Sequence, residues 1–309
     1  MSEQKFVTPL KVGLLIVAIT YFLFTLHQTF MFQWIGEWEY IGANNPQTAT
    51  WVFITDIQAY VFLLFRFAAG ILAVSAVTLY FVKKGLPQST TYKLLRGIIV
   101  LEGIYWLGLL TSGIWGMLPT ARGFNVVFML STGIPCLVGS IGIPISMFML
   151  AYKLSPHKPA KPAIKWALIA GIFYVLTLWL NNTGMWITTV MGKGTDWLLV
   201  SPESIVSFTT ATFGLLALAI YTAYFAKKSS AISEWSQLNL RAVGGIITAL
   251  GMFFLWNYLT WIFFGGWNEW YAWILGHNLD LWMLSLPLAG LPLLFHSKNR
   301  HSQNYAGSQ

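Results

Sequence analysis

The chain has 309 residues, of which 56% are hydrophobic, 17% aromatic and only 9% charged, against the roughly 25% charged share of a soluble globular domain. Together with a mean hydropathy of +0.63, this composition excludes a soluble single-core protein. The formal charge of +8, from 18 Lys+Arg against 10 Asp+Glu, reads in so apolar a chain as a membrane-topology signal and not as a nucleic-acid footprint. A single cysteine, Cys136, excludes an intrachain disulfide and a cysteine-based zinc or iron-sulfur site.

Met1 to Thr8 is polar and lacks the small-residue cleavage site of a secretory signal, so the first apolar stretch is expected to stay as an anchor. A hydrocarbon core near 30 Å takes about 20 apolar helical residues. Runs of that order recur eight times, near 10–34, 51–82, 95–118, 126–152, 165–190, 204–226, 242–265 and 279–296. The expected fold is all-α, a polytopic membrane protein of eight transmembrane helices.

With a cytoplasmic N-terminus, 15 of the 18 Lys and Arg fall on the inner side, including Lys11, Lys83, Lys84, Lys93, Arg96, Lys165, Lys227, Lys228 and Arg241. Arg122 and Lys193 fall outside, and Arg66 lies within a span. Basic residues near span ends set orientation, which places both termini in the cytoplasm and makes the chain a multi-pass cell-membrane protein with the lipid bilayer as its first partner. Glu37, Glu39, Asp196, Glu203 and Glu269 lie on the opposite side, where Trp34, Trp38, Trp51, Trp197, Trp267, Trp270 and Trp273 form a heavier outer aromatic belt.

The two halves of the chain resemble each other. Leu26-His27-Gln28-Thr29-Phe30-Met31-Phe32 in span 1 aligns with Leu180-Asn181-Asn182-Thr183-Gly184-Met185-Trp186 in span 5, and Lys11 aligns with Lys165. Span 2 reads Gly70-Ile71-Leu72-Ala73 and span 6 Gly214-Leu215-Leu216-Ala217; Gly97-Ile98-Ile99 of span 3 matches Gly245-Ile246-Ile247 of span 7. Met129-Leu130-Ser131 of span 4 matches Met283-Leu284-Ser285 of span 8. A four-helix unit returns to its starting side, so the halves are expected to be parallel four-helix repeats related by an axis along the membrane normal. They cover 1–154 and 165–309, with a short basic C-terminal tail, and 155–164 forms a basic, Pro-rich cytoplasmic linker.

Polar side chains concentrate in one layer. At 1.5 Å per residue His27 lies roughly 24 Å along the helix from Lys11, and Asn181, Asn182 and Asn257 lie at a similar depth from Lys165 and Arg241. Asp56 and Gln58 follow Trp51, and His277, Asn278 and Asp280 open span 8 from the same side. Intramembrane polar groups face a bundle interior or a wet cavity, so this layer suggests an outward-opening polar site, although helix-joining hydrogen bonds are the simpler use of such amides. Deeper lie Arg66 and Glu102, able to pair across neighbouring antiparallel spans or to act as an anion holder and a proton carrier. The repeat places Thr210 opposite Arg66 and Leu250 opposite Glu102, so a single site would be weighted towards the first half.

No Walker A loop, GxGxxG run at a strand-helix junction, HExxH or GxSxG is present. Phe65-Arg66-Phe67-Ala68-Ala69-Gly70 in span 2 and His277 at the start of span 8 resemble the heme A synthase family, as do the eight spans and the four-plus-four duplication. That resemblance implies heme ligation by paired histidines. This chain carries Phe65 and Phe124 where two of the ligands would stand, Phe62 in place of an acidic partner, and no histidine in span 6. The pair left at membrane depth, His27 and His277, would serve as metal ligands to one b-type heme if spans 1 and 8 adjoin. The layout is also similar to quinol-reactive membrane subunits of respiratory complexes.

The expected function is an integral membrane subunit of a respiratory or other electron-transfer complex, binding quinone or a single heme in the outer half of the membrane. As an enzyme it would be a quinol-linked oxidoreductase subunit. Its partners would be other membrane subunits and an extracytoplasmic redox protein, with no nucleic acid. His27, Asp56 and Glu102 are the candidate proton-handling residues, and His27, Gln28, Gln58, Arg66, Asn181, Asn182, Asn257 and His277 the candidate cofactor contacts. A small-solute transporter or channel whose polar layer is an outward vestibule is the alternative from another class; a structural anchor is a third.

Overall fold

The computed structural model describes residues 3–29, 46–82, 88–117, 129, 133–193, 209–229, 232, 238–264 and 281–295. Among these residues the regular elements are all helical. In chain order they are α1 (Glu3–His27), α2 (Pro46–Val82), α3 (Gln88–Met117), α4 (Ile134–Lys153), α5 (Ala160–Lys193), α6 (Leu215–Ser229), α7 (Leu240–Phe264) and α8 (Leu281–Phe295). A π-helical turn, Thr210–Gly214, leads into α6.

Four stretches are long and apolar enough to cross a membrane: Thr8–His27, Val61–Leu79, Ile134–Lys153 and Ala160–Gly184. Leu240–Trp256 and Trp282–Phe295 are shorter apolar helices. Beside buried apolar residues such as Phe24, Ile143 and Leu215, many large apolar side chains are exposed and several polar ones are buried, a pattern that fits a membrane protein. Val12, Ile19, Leu23, Ile141, Ile145 and Ile220 are exposed, whereas Thr25, Arg66, Ser140, Ser146, Thr177 and Ser285 are buried. In hydrocarbon nothing is gained by hiding Leu or Ile, and small and polar side chains do the joining.

Several boundaries differ from the sequence reading. α3 starts at Gln88, a turn and a half before the apolar run, because Gln88 to Lys93 are polar residues that helix tolerates outside the bilayer. α4 begins at Ile134, with Gly133 at its N-cap and Pro135 in its first turn, where a missing N–H costs nothing. α5 begins at Ala160, inside the expected 155–164 linker, with Pro162 in its first turn for the same reason. The remaining connection is a tight turn: Lys158 N bonds Ser155 O at 3.3 Å, and Lys158 Nζ donates to Tyr152 O at 3.1 Å while lying 4.3 Å from the centroid of the Tyr152 ring.

The helices form one circuit. Each packs on its neighbours in the chain, and α8 closes the ring on α1. The halves therefore meet at two seams, α4 with α5 and α8 with α1. Aromatic side chains bridge the middle: Trp106 of α3 meets Tyr174 of α5 edge-on at 5.9 Å, Tyr174 Oη lies 3.7 Å from Met283 Sδ of α8, and Tyr21 of α1 meets Trp282 of α8 at 5.6 Å.

Closure depends on how α8 is built. Pro287 and Pro292 remove the N–H groups that would bond the carbonyls of Met283 and Leu288. Each of those carbonyls faces a glycine of a neighbouring helix: Leu288 O faces Gly13 of α1, and Met283 O lies 2.9 Å from where a Cβ on Gly251 of α7 would sit. One level further, Thr20 Oγ1 and Ser285 Oγ are 2.9 Å apart across the α1–α8 seam. A methyl group on Gly13 would collide with α8 backbone, whereas one on Gly171 would meet nothing closer than Thr222 Cγ2 at 3.9 Å. Gly13→Ala is therefore expected to lower stability by about 1–3 kcal/mol, and Gly171→Ala to be neutral or to stabilise by up to about 1 kcal/mol; thermal unfolding of the two variants in detergent checks the contrast.

Candidate functional site

The face of α1 that carries Tyr21, Phe24 and Gln28 repeats at i, i+3 and i+7, so the three side chains stack on one side. That side meets α2 at Arg66 and α3 at Glu102 and Tyr105, themselves i and i+3 on their helix. Arg66 Nε lies 3.3 Å from Glu102 Oε1, with the two side chains 8% and 12% exposed. Tyr21 Oη donates to the same carboxylate oxygen. Arg66 Nη1 donates to Gln28 Oε1 at 3.1 Å, and the guanidinium lies 4.2 Å from the centroid of the Tyr105 ring and 5.0 Å from that of Phe24.

Each element of this cluster answers an electrostatic need. A buried guanidinium requires a counter-charge, which Glu102 supplies, and further acceptors for its remaining N–H groups, of which Gln28 is one. The aromatic faces of Tyr105 and Phe24 add quadrupole attraction where water is absent. Tyr21 gives the carboxylate a second donor and ties α1 to α3. Three helices are thus held at one height by one neutral, bonded group.

The other candidate residues are distributed differently. His27 is half-buried in the last turn of α1, about 9 Å along the helix from Tyr21. Asn181 is exposed on α5, and Asn182 Nδ2 donates to Leu178 O of its own helix at 2.9 Å. Asp56, Gln58 and Asn257 stand on helical backbone with their side chains outside the described residues, and His277 lies outside them altogether. The structure thus gathers Gln28, Arg66 and Glu102 and keeps Asn182 apart from them. Sequence reasoning missed Tyr21, Phe24 and Tyr105; the seven-residue step from Tyr21 to Gln28 was the available signal.

Among the described residues of the second half there is no equivalent charge cluster. The repeat places Val175 opposite Tyr21, and both Val175 and Leu250 belong to one apolar cluster with Leu218 and Ala219. Thr210, opposite Arg66, opens the π-helical turn and lies 3.1 Å from Trp256 Nε1. A π turn leaves a carbonyl without its usual helical donor, and here Trp179 Nε1 donates to Thr212 O at 3.0 Å.

Two buried donors near the charge cluster have no hydrogen-bond partner among the described residues. One is Thr29 Oγ1, next to Gln28 on α1 and fully buried; the other is Trp282 Nε1, on the ring that packs against Tyr21. Among the described residues no group of three or more His, Cys, Asp and Glu is placed to hold a metal ion. Comparison with protein-family models, with curated proteins and with solved structures gave no match.

Removing one member of a buried ion pair strands the other charge. Glu102→Leu is accordingly expected to destabilise the protein by about 3–5 kcal/mol, and the double variant Arg66→Leu/Glu102→Leu to recover most of that loss. Unfolding of the two proteins in the same detergent measures the difference; equal losses would show that the pair is not coupled.

Proposed function

We propose that the chain is an eight-span, multi-pass cell-membrane subunit of an electron-transfer assembly, with both termini in the cytoplasm. It binds a quinone head group on the His27 and Gln28 side of the Tyr21–Arg66–Glu102 cluster. The observation that carries the reading is the hydrogen bond from Arg66 to Gln28, which connects a buried, fixed charge pair to the polar layer holding His27. Two further features support it: the orphaned hydroxyl of Thr29 and indole N–H of Trp282 are donors of the kind a quinone carbonyl accepts, and Phe24, Tyr105 and Trp282 offer apolar faces for a ring.

A quinone supplies the two-electron, two-proton couple of the reaction. The chain's residues handle position and protons. Gln28, held by Arg66 through its carbonyl oxygen, can turn its amide N–H towards a quinone oxygen. His27 takes a proton released on the outer side, since an imidazole suits proton transfer; Asp56, its expected partner, has its side chain outside the described residues. Arg66 and Glu102 maintain a neutral, oriented field below the ring, and Glu102 provides a proton position towards the inner half. Electrons leave to an extracytoplasmic redox partner above the Trp-rich outer rim.

One observation favours a second reading, a single b-type heme. α1 packs on α8, the arrangement that axial ligation by His27 and His277 requires.

The test combines a reduced-minus-oxidised visible spectrum of the purified protein with quantification of extracted quinone. Near-stoichiometric quinone is expected, reduced about tenfold in Gln28→Leu, with His27→Ala inserting normally but losing quinol-linked turnover. A b-type spectrum that disappears in His27→Ala would replace quinone by heme. Absence of both groups, or full turnover in His27→Ala, would overturn the electron-transfer reading, and solute counterflow in proteoliposomes would then test transport.

A further inference from the structure

The seam between α6 and α7 is open where its counterpart is closed. In the first half, Gly97 of α3 lies close to α2, where an added Cβ would sit 3.1 Å from Leu72 Cδ1, while Gly70 of α2 lies against α1, where one would sit 2.5 Å from Thr25 Oγ1. The aligned glycines of the second half, Gly214 and Gly245, are less crowded, an added Cβ meeting only ordinary contacts at 3.8 Å from Thr210 Cγ2 and from Leu294 Cδ1. Between α6 and α7 lies a cleft of about 510 Å³, lined by Gly214, Ala217, Tyr221, Gly245 and Ala249 and reaching Arg241. Five small lining residues, Gly214, Ala217, Ala242, Gly245 and Ala249, leave a slot between bulkier Leu218, Tyr221 and Leu294, and the slot runs along the helix axes from mid-bundle to the basic end.

That end is built for an anion. Asn239 caps α7, its Oδ1 accepting from Arg241 N at 3.1 Å and Ala242 N at 3.3 Å, so the positive end of the helix dipole faces the mouth of the cleft. The exposed Arg241 side chain stands there, and Lys227 and Lys228 close the last turn of α6 at the same end of the bundle. An apolar slot with a basic mouth between membrane helices matches an anionic amphiphile.

We propose that this cleft holds one anionic phospholipid, with an acyl chain between α6 and α7 and the phosphate at Arg241 and the α7 N-terminus. The tail replaces the side chains that the small residues lack, and the headgroup offsets the charge of the basic end. This site is separate from the Tyr21–Arg66–Glu102 cluster and does not rest on the quinone reading.

The experiment is native mass spectrometry of the full chain in detergent, after incubation with phosphatidylglycerol or phosphatidylcholine of identical acyl chains. Retention of one phosphatidylglycerol in clear preference to phosphatidylcholine is expected. Arg241→Gln is expected to lower that preference about fivefold, and Gly245→Leu/Ala249→Leu, which fills the slot, to remove the retained lipid. Lys93→Gln, at the aligned position beside the closed α2–α3 seam, is expected to change neither. Equal retention of the two lipids, no retained lipid, wild-type retention by the filled variant, or the same loss in Lys93→Gln as in Arg241→Gln would each overturn the proposal. Because Arg241 is exposed, its variant remains informative if the filled variant does not fold.

Discussion

A buried guanidinium in an apolar bundle has to be neutralised and hydrogen-bonded within the protein, because hydrocarbon offers it nothing. Arg66 imposes that constraint on three helices. Glu102 comes from α3 and Gln28 from α1, while Tyr21 donates to the same carboxylate oxygen that Arg66 bonds. Sliding any of the three by one residue, about 1.5 Å in height and 100° in direction, would break at least one of these bonds. The cluster therefore fixes the register of α1, α2 and α3. It does so beside aromatic packing of the same helices, such as Phe22 on Phe67.

Away from the charges, register is held by close backbone approach. α8 illustrates the mechanism: its two prolines release carbonyls at Met283 and Leu288, and each released carbonyl lies against a glycine of the adjoining helix. Proline weakens the helix ladder and glycine weakens helix propensity, yet at a seam the two defects complement each other. The glycine permits backbone-to-backbone contact where the proline has left an acceptor exposed, a setting for weak Cα–H···O contacts. The ring closes on α1 through such a contact at Gly13, backed by the Thr20–Ser285 hydroxyl pair.

Much of this was legible in the sequence, and the reasons differ between levels. Eight helices follow from apolar run length, which is a property of consecutive residues. The possibility that Arg66 and Glu102 pair also followed, since two opposite charges at compatible depths on adjacent spans have few other choices. Helix order around the ring was not legible, because the eight helices carry similar apolar surfaces and the closing contact depends on notches such as Gly13 whose meaning requires knowing the neighbour. Tyr21 and Tyr105 were missed for a related reason: tyrosine in a membrane span is common at interfaces, and only the helical step to Gln28, or to Glu102, marks these two as part of a site. The polar layer looked uniform by depth, but depth says nothing about direction around the helix; Gln28 turns inward to Arg66, whereas Asn182 bonds its own helix at Leu178.

The difference between the halves follows from the same charge pair. In the first half Arg66 and Glu102 draw α2 against α3, where Gly97 lies close to Leu72. In the second half Thr210 and Leu250 occupy the equivalent places and exert no such attraction. The helix at Thr210–Gly214 widens into a π turn, which shifts the phase of α6 relative to a regular helix just before Gly214 and Ala217 reach the seam. Trp256 and Trp179 stabilise this geometry by bonding Thr210 and Thr212, so the widening is held in place by its own polar contacts. With no ion pair between α6 and α7 among the described residues and with Gly214, Ala217, Ala242, Gly245 and Ala249 along their seam, the two helices leave a cleft below the turn. The uncharged residues at Thr210 and Leu250 and the open seam between α6 and α7 thus go together.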